Sequence, residues 1–380
     1  MTQHSSVILR AIGMMVGAIV GVGVFGLPYV FAQTGFATTL IELLVLGVLL
    51  TILQLMQAEV VIQTGGHNRL AGYVRKYLGS GWAWVALISL AAGVWGAMLA
   101  YIIVGGNFLY LLVSPIMGGT EFVYSVLIAV VASALIYRGL RFASRFEGLI
   151  VGILLFLFIF IALASVPHIQ WSSFSITGTA SIFLPYGVIL FALSGIGIVP
   201  EIRDVLGERL KNRIGYVIIS GMAVILLLYA LFSAAVVGVT GPATTPVAFD
   251  GLIPMLGKTF GIVATLLGSL TIISIYLMLG IELLNTLRFD FRVHHKMAWA
   301  IVTIVPLVFY LAGARAFIQV IGFVGSIFSG ALGILIALTY AKMKNSPLCK
   351  RRECLNFPNV LTWLLIALFV GGMIYQVMTL

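Results

Sequence analysis

The chain has 380 residues, of which 62% are hydrophobic and 8% are charged, and its net charge is +10. A mean hydropathy of +1.18 excludes a soluble domain of this size and indicates a polytopic membrane protein. The positive charge is spread over several short segments, which argues against nucleic-acid binding and for contact with anionic lipid head groups.

Apolar stretches long enough to cross a hydrocarbon core roughly 30 Å thick recur along the whole chain. We therefore expect an all-α polytopic membrane protein with eleven transmembrane helices. The predicted spans are Ile8–Gln33, Thr38–Ile62, Trp82–Leu112, Phe122–Tyr137, Leu149–Val166, Ile182–Leu206, Ile214–Val239, Phe260–Leu287, Met297–Leu311, Phe317–Tyr340 and Val360–Leu380.

Basic residues fall in every second loop between these spans. Of the 21 Lys and Arg residues, all but Lys258 and Arg315 lie in the N-terminal segment or in alternate loops. Because Lys and Arg are retained in the cytoplasm, we expect the N-terminus inside and the C-terminus outside. The expected location is a prokaryotic plasma (inner) membrane.

The first span is interrupted at residues 17–28, which read GAIVGVGVFGLP. Glycine and proline both disfavour a continuous helix. Unpaired backbone groups are tolerated in a membrane only where they face protein or a wet cavity, so a break predicts a polar ligand at mid-depth. Helix packing is the alternative, since Gly13, Gly17 and Gly21 are spaced four apart. Packing does not account for Gly23 and Pro28, which follow on another face.

The sixth span carries a second interruption of the same kind, with Gly195 and Gly197 ahead of Pro200. The breaks lie in spans one and six, five helices apart, and an odd number of helices inverts the second copy in the membrane. This arrangement predicts a 5+5 inverted repeat with discontinuous helices one and six. The predicted units are residues 1–166, residues 181–343 and an accessory helix at 359–380.

These motifs resemble those of the amino acid/polyamine/organocation superfamily of transporters, and most closely its amino acid permease branch, which includes aromatic amino acid permeases. The resemblance rests on GAIVGVGVFGLPYVFAQTGF in span one, AEVVIQTGGHNRLAGYVRKYLG after span two and LPYGVILFALSGIGIVPEIRDVL in span six. It implies a LeuT-like fold in which an α-amino acid binds between the two breaks. The remainder of the chain matches in hydropathy and loop order.

The resemblance also implies how the amino acid is held. Free N–H groups of the first break are expected to bind the carboxylate, and free carbonyl groups of the second to bind the amine, which suits the charges at helix ends. By matching positions, the former are Gly21, Val22 and Gly23, and the latter are Phe191, Ala192 and Ser194.

The substrate side chain is expected to be neutral, because no charged residue falls at the midplane of spans one, three, six or eight. Gly195 leaves room beside the break for a large or aromatic side chain, and Tyr101 is a candidate pocket wall. Phe191 occupies the place of an aromatic gate in relatives. The alternative for Phe191 is an ordinary core or lipid-facing phenylalanine.

Relatives with this fold couple transport to sodium or to protons. A sodium site would use the carbonyls of Gly17 and Val20 with the hydroxyls of Thr271 and Ser274, although such hydroxyls often bond their own helix. For proton coupling, Glu59 is the preferred carrier, since ionisable residues within a span are functional candidates. Apart from such a coupling ion, no cofactor and no metal is expected.

Charged residues near the inner ends of the spans are candidates for an inner gate that breaks for substrate release. These residues are Arg10, Glu201, Glu282 and Asp290. The alternative, strongest for Asp290, is a static interfacial charge that extends to water.

Cys349 and Cys354 lie in a predicted cytoplasmic loop, where we expect reduced thiols.

The sequence thus predicts a secondary active transporter of neutral L-amino acids, aromatic or otherwise large, which works by alternating access with Na⁺ or H⁺ coupling. An exchanger, or a sensor that keeps the transporter fold, are the alternatives. No nucleophile motif or histidine cluster suggests an enzyme. The expected partners are the amino acid and the lipid bilayer, without nucleic acid, and the chain is expected to be a monomer or a weak homo-oligomer.

Overall fold

The computed structural model describes residues 3–65, 68–138, 142–195, 197–289, 292–347, 349 and 354–379, and these contain no β-strand. The α-helices are α1 (Gln3–Ile19), α2 (Leu27–Thr34), α3 (Phe36–Thr64), α4 (Leu70–Leu78), α5 (Ser80–Met117), α6 (Glu121–Tyr137), α7 (Phe142–Ser165), α8 (Leu184–Ala192), α9 (Ile198–Leu210), α10 (Ile214–Thr240), α11 (Ala248–Leu256), α12 (Lys258–Phe289), α13 (His295–Leu311), α14 (Phe317–Val324), α15 (Gly330–Lys344) and α16 (Asn359–Met378).

Long apolar helices dominate the described chain. Six helical segments are long and apolar enough to cross a membrane, or seven when one bent pair is counted as a span. Three shorter apolar helices accompany them, at Glu121–Tyr137, Gly152–His168 and His295–Leu311. Each predicted span coincides with one helix or with consecutive helices. The protein is therefore an all-helical integral membrane protein.

The first predicted interruption is present as a bend. Helix α1 ends at Ile19, Gly21 is extended (φ −129°, ψ −151°), and a short 3₁₀-helix at Val22–Gly26 leads into α2. The two arms of this pair are bent by 54°. Pro28 lies in the first turn of α2, where its missing N–H costs no helical hydrogen bond. Local sequence thus fixes both sides of the break.

The second interruption separates α8 from α9. Helix α8 ends at Ala192, and Ser194 and Gly195 have no helical conformation. Turn-like bonds take over here, from the N–H of Ser194 to the carbonyl of Phe191 (3.2 Å) and from the N–H of Ile198 to the carbonyl of Gly195 (3.2 Å). The backbone of Ser194 and Gly195 therefore lies outside the regular hydrogen-bond pattern of a helix.

Helix packing brings the two breaks together at the centre of the bundle. Helix α1 packs against α9 and α10, and α8 packs against α2 and the 3₁₀-helix of the first break. The longest helix, α5, runs alongside α12 and also contacts the first break. These neighbours supply the walls of the site.

The two cysteines lie between α15 and α16. The expectation of separate thiols is wrong, because the sulfur atoms of Cys349 and Cys354 are joined in a disulfide. The two Cα atoms are 5.6 Å apart. That distance is within the range of roughly 4.4–6.8 Å that a disulfide spans.

Candidate functional site

A cavity of about 230 Å³ lies between the two helix breaks. It is smaller than the roughly 300–1,000 Å³ of pockets for drug-sized ligands, so it suits one small molecule. All eight residues predicted to bind substrate line this cavity, together with three of the other candidates. These lining residues are Gly17, Gly21, Val22, Gly23, Tyr101, Phe191, Ala192, Ser194, Gly195, Glu201 and Glu282.

The cavity extends from the breaks toward one end of the bundle. Glu201 and Glu282 line this end, and both are exposed. Thr286, one turn further along α12, also lines it. Since exposed carboxylates border the cavity, solvent reaches the breaks from this side.

Three phenylalanine rings pack together at the first break, which carries Phe25. Phe25 packs edge-on against Phe108 and Phe249, with ring centroids 5.3 Å apart in both cases. Phe108 and Phe249 stack on each other at 4.7 Å. All three side chains are buried. The short helix α11, which carries Phe249, therefore packs against the 3₁₀-helix of the first break.

Tyr101 is more than a wall of the cavity. Its hydroxyl oxygen accepts a hydrogen bond from the N–H of Val22 at 3.1 Å. A Cβ atom on Gly21 would overlap this hydroxyl, so only glycine fits beside it. Helix α5 thus places a phenol directly on the backbone donors predicted to bind a carboxylate.

Tyr229 of α10 contacts both breaks, which the sequence analysis did not predict. Its hydroxyl lies 2.8 Å from the carbonyl oxygen of Ala192 and 3.3 Å from that of Ile19. The side chain is fully buried. A phenol near the middle of an apolar span was the available signal, but nothing local relates it to either break.

The chain segment between α14 and α15 also meets the second break. Residues Gly325–Ser329 form a π-helix, a feature often found at functional sites. The hydroxyl of Ser329 donates to the hydroxyl of Ser194 at 3.2 Å. Val324 and Phe328 line the cavity beside it. The sequence analysis missed this contribution, for which the small-residue run GSIFSG was the only signal.

The predicted sodium ligands have mixed placements. Gly17 lines the cavity and Val20 is buried nearby in the chain. The hydroxyl of Thr271 donates to the carbonyl of Leu267 at 3.0 Å, within its own helix. Ser274 is half-buried on the same helix. The backbone bond of Thr271 leaves its oxygen lone pairs available as an acceptor.

Glu59 is buried in α3, away from the described residues that line the cavity. Its carboxylate accepts a hydrogen bond of 2.8 Å from the side-chain amide of Gln63. The carbonyl oxygen of that amide is buried and has no hydrogen-bond partner among the described residues. The carboxylate is therefore held by a side-chain amide one turn further along α3.

The gate candidates differ in their placement. Arg10 is exposed on α1, and Asp290 lies outside the described residues. Glu282 instead lies close enough to Arg69 for electrostatic interaction. Arg69 also donates to the hydroxyl of Thr286 at 2.8 Å. The sequence analysis missed Arg69, because its partners are more than 200 residues away in the chain.

The chain is similar to known proteins in sequence profile and in fold. The profile of the tryptophan/tyrosine permease family matches residues 4–376. No curated protein matches the chain significantly. The crystal structure of MhsT in complex with L-phenylalanine is 17% identical, with a TM-score of 0.69 over 97% of this chain and 98% of that chain. An Eremococcus coleocola manganese transporter, in complex with an aromatic bis-isothiourea substituted compound, is 14% identical, with a TM-score of 0.63 over 96% and 86%. The overall fold is shared with both.

Proposed function

Because the chain belongs to the tryptophan/tyrosine permease family, we propose that it is a secondary active transporter of neutral aromatic L-amino acids. The observation that carries this proposal is the cavity between two interrupted helices, where backbone groups and aromatic rings share one small space. A permease moves its substrate unchanged, so the proposed function is transport and not catalysis.

The two breaks suit a zwitterion. A helix N-terminus carries a partial positive charge that favours a carboxylate, and a helix C-terminus carries a partial negative charge that favours an ammonium group. The proposed carboxylate donors are the N–H groups of Gly21, Val22 and Gly23. The proposed ammonium acceptors are the carbonyls of Phe191, Ala192 and Ser194. Tyr101, whose hydroxyl now accepts from Val22, would donate to a bound carboxylate.

The substrate side chain would lie among apolar groups. Phe191, Val324 and Phe328 line the cavity near the breaks, and Gly195 adds space there. Among the described lining residues, the charged ones are carboxylates at the open end. A large neutral side chain therefore gains burial without leaving a charge unpaired, whereas a basic or acidic one would lose its hydration.

The proposed architecture is a LeuT-like bundle of eleven membrane crossings in a 5+5 inverted repeat, with α16 as the accessory helix. The match between the breaks in the first and sixth predicted spans supports it. Placing the basic loops in the cytoplasm puts the N-terminus inside and the C-terminus outside a prokaryotic inner membrane. Arg69 and Arg203 then mark the open end of the cavity as cytoplasmic.

The coupling ion is proposed to be Na⁺ or H⁺. Sodium would bind the carbonyls of Gly17 and Val20 and the hydroxyls of Thr271 and Ser274. A proton would bind Glu59, whose amide partner can serve either protonation state. At the cytoplasmic end, the proposed gate comprises Glu201, Glu282 and Arg69, with Arg10 and Asp290 as further candidates.

Uptake into proteoliposomes tests the function. Labelled tryptophan, tyrosine and phenylalanine would be offered under an imposed sodium gradient, an imposed pH gradient, or neither, with unlabelled leucine, lysine and glutamate as competitors. We expect accumulation of the aromatic substrates under one gradient and no competition by lysine or glutamate. Exchange against preloaded amino acid without accumulation would favour an exchanger. Binding without either activity would favour a sensor and overturn the proposal.

A further inference from the structure

The hydroxyl of Tyr229 stands between two carbonyl oxygens that belong to different helix breaks. The oxygen of Ala192, at the end of α8, is 2.8 Å away, and the oxygen of Ile19, at the end of α1, is 3.3 Å away. These helices are far apart in the chain but meet at this phenol. Tyr229 therefore links the two breaks through one atom.

A phenol carries a single proton, so it can donate to only one of the two carbonyls at a time. The shorter distance to Ala192 indicates that this carbonyl receives the proton in this structure. The carbonyl of Ile19 then faces the lone pairs of the phenol oxygen. Because Tyr229 is fully buried, its single proton leaves one of these two carbonyl oxygens without a donor from the phenol.

We propose that Tyr229 is a positioning residue that holds the two breaks together in the empty carrier. It gives up its hydrogen bond to the carbonyl of Ala192 when the ammonium group of the substrate binds there. This inference rests on the proposed function, in which Ala192 accepts from the amine. An ammonium group brings three donors. Once it bonds to Ala192, the phenol turns to Ile19, and both carbonyls have a donor.

The consequence is a difference between two modes of transport. Net uptake requires the empty carrier to return across the membrane, and this is the state in which the phenol of Tyr229 would hold Ala192. Exchange of one amino acid for another never passes through the empty return. Loss of the phenolic hydroxyl should therefore slow net uptake and leave exchange nearly intact.

The test is Tyr229→Phe, which keeps the ring and removes the hydroxyl, assayed in proteoliposomes for gradient-driven net uptake of phenylalanine and for exchange against preloaded phenylalanine. Since one buried hydrogen bond is lost, we expect net uptake to fall by about tenfold, with exchange within about threefold of wild type. A parallel loss of both modes, or no loss of either, would overturn the proposal.

Tyr276→Phe is the matched control. Tyr276 is a buried tyrosine of α12, and its hydroxyl has no hydrogen-bond partner among the described residues. We expect both transport modes to be unchanged in this variant. Thermal unfolding in detergent completes the set, and a Tyr229→Phe protein that unfolds at the assay temperature would make the role structural and overturn the inference. A wild type that is silent in both modes would instead refute the transport function itself.

Discussion

Gly23 and Ala192 bring the backbones of the two helix breaks into contact. A Cβ atom on Gly23 would lie 2.9 Å from the Cα atom of Ala192 and 2.9 Å from a ring carbon of Phe191. A ring can turn aside, but a backbone atom at the end of α8 moves only if the helix moves. Glycine at this position therefore sets the spacing between the proposed carboxylate and ammonium sites.

Replacing Gly23 with alanine should disrupt this spacing. Overpacking costs typically about 1–3 kcal/mol, so we expect the rate of aromatic amino acid uptake at low substrate concentration to fall by about tenfold or more. Gly13→Ala on α1 is the control, because a Cβ atom there would meet no atom within 4 Å. Initial rates in proteoliposomes measure both, and equal rates for the two variants would contradict the argument.

Tyr101→Phe should weaken substrate binding rather than turnover. The phenol lies on the N–H of Val22, and a hydrogen bond to a charged carboxylate is worth roughly 1.5–3 kcal/mol. We expect the KM for phenylalanine to rise by about tenfold with little change in maximal rate. The effect should appear in net uptake and in exchange alike, which separates it from the effect of Tyr229→Phe. A fall in maximal rate with an unchanged KM would exclude Tyr101 as a carboxylate contact.

Asp250 makes the free energy of unfolding depend on pH. It lies on α11, outside the membrane-spanning helices, and burial raises the pKa of its carboxyl group above the ordinary value of 3.8, although the hydrogen bond from Asn107 lowers it. The amide nitrogen of Asn107 is 3.2 Å from both carboxylate oxygens. A proton thus binds the folded chain more tightly than the unfolded chain.

The sign of the effect follows from that difference. The contribution of Asp250 to the free energy of unfolding is fully present below pH 3.8 and is lost as the pH rises through the raised pKa. Asp250→Asn should therefore unfold at a higher temperature than wild type at pH 7, and the gap should narrow toward pH 4. Scanning fluorimetry in detergent measures it, with the exposed Asp204→Asn as control. A gap that is constant with pH would refute this account.

Gly325 should be intolerant of a side chain. A Cβ atom there would overlap the carbonyl oxygen of Gly187 and lie 2.7 Å from the backbone nitrogen of Phe191. We expect Gly325→Ala to lower the free energy of unfolding by about 1–3 kcal/mol or more. Gly322→Ala, one turn earlier, meets its nearest atom, in Val188, at 3.9 Å and should be neutral. Similar melting temperatures for the two variants would show that the π-helix shifts away from α8 to accommodate the side chain, and would contradict this prediction.

The breaks were predictable because their cause is local. The effect of a glycine or proline on the backbone is confined to a few neighbouring residues, as at Gly21, Gly23 and Pro28. It can therefore be predicted without knowledge of the partner helices. The same reasoning predicted the second break from Gly195 and Gly197 ahead of Pro200, and the fold has breaks in both places. Their convergence on one cavity followed from the five-helix spacing and the family resemblance.

The residues that sequence reasoning missed act across the bundle. Tyr229, through Ile19, and Ser329 and Arg69 each contact a group more than 100 residues away. A tyrosine, a serine or an arginine in an apolar chain has many possible partners, and packing alone selects one. The disulfide between Cys349 and Cys354 was missed for a different reason. That expectation rested on the predicted cytoplasmic location of the loop and not on the distance between the two residues. Their Cα atoms are close enough for the bond.

The first break and the cavity are bordered by contacts of different chemistry. Rings of Phe25, Phe108 and Phe249 pack on one another at the first break, while Glu282 lines the cavity and interacts electrostatically with Arg69. Dissolved ions screen charges over about 10 Å at 0.1 M but do not weaken contacts between buried rings. Ionic strength therefore weakens the interaction of Glu282 with Arg69 and leaves the packing of the three rings unchanged.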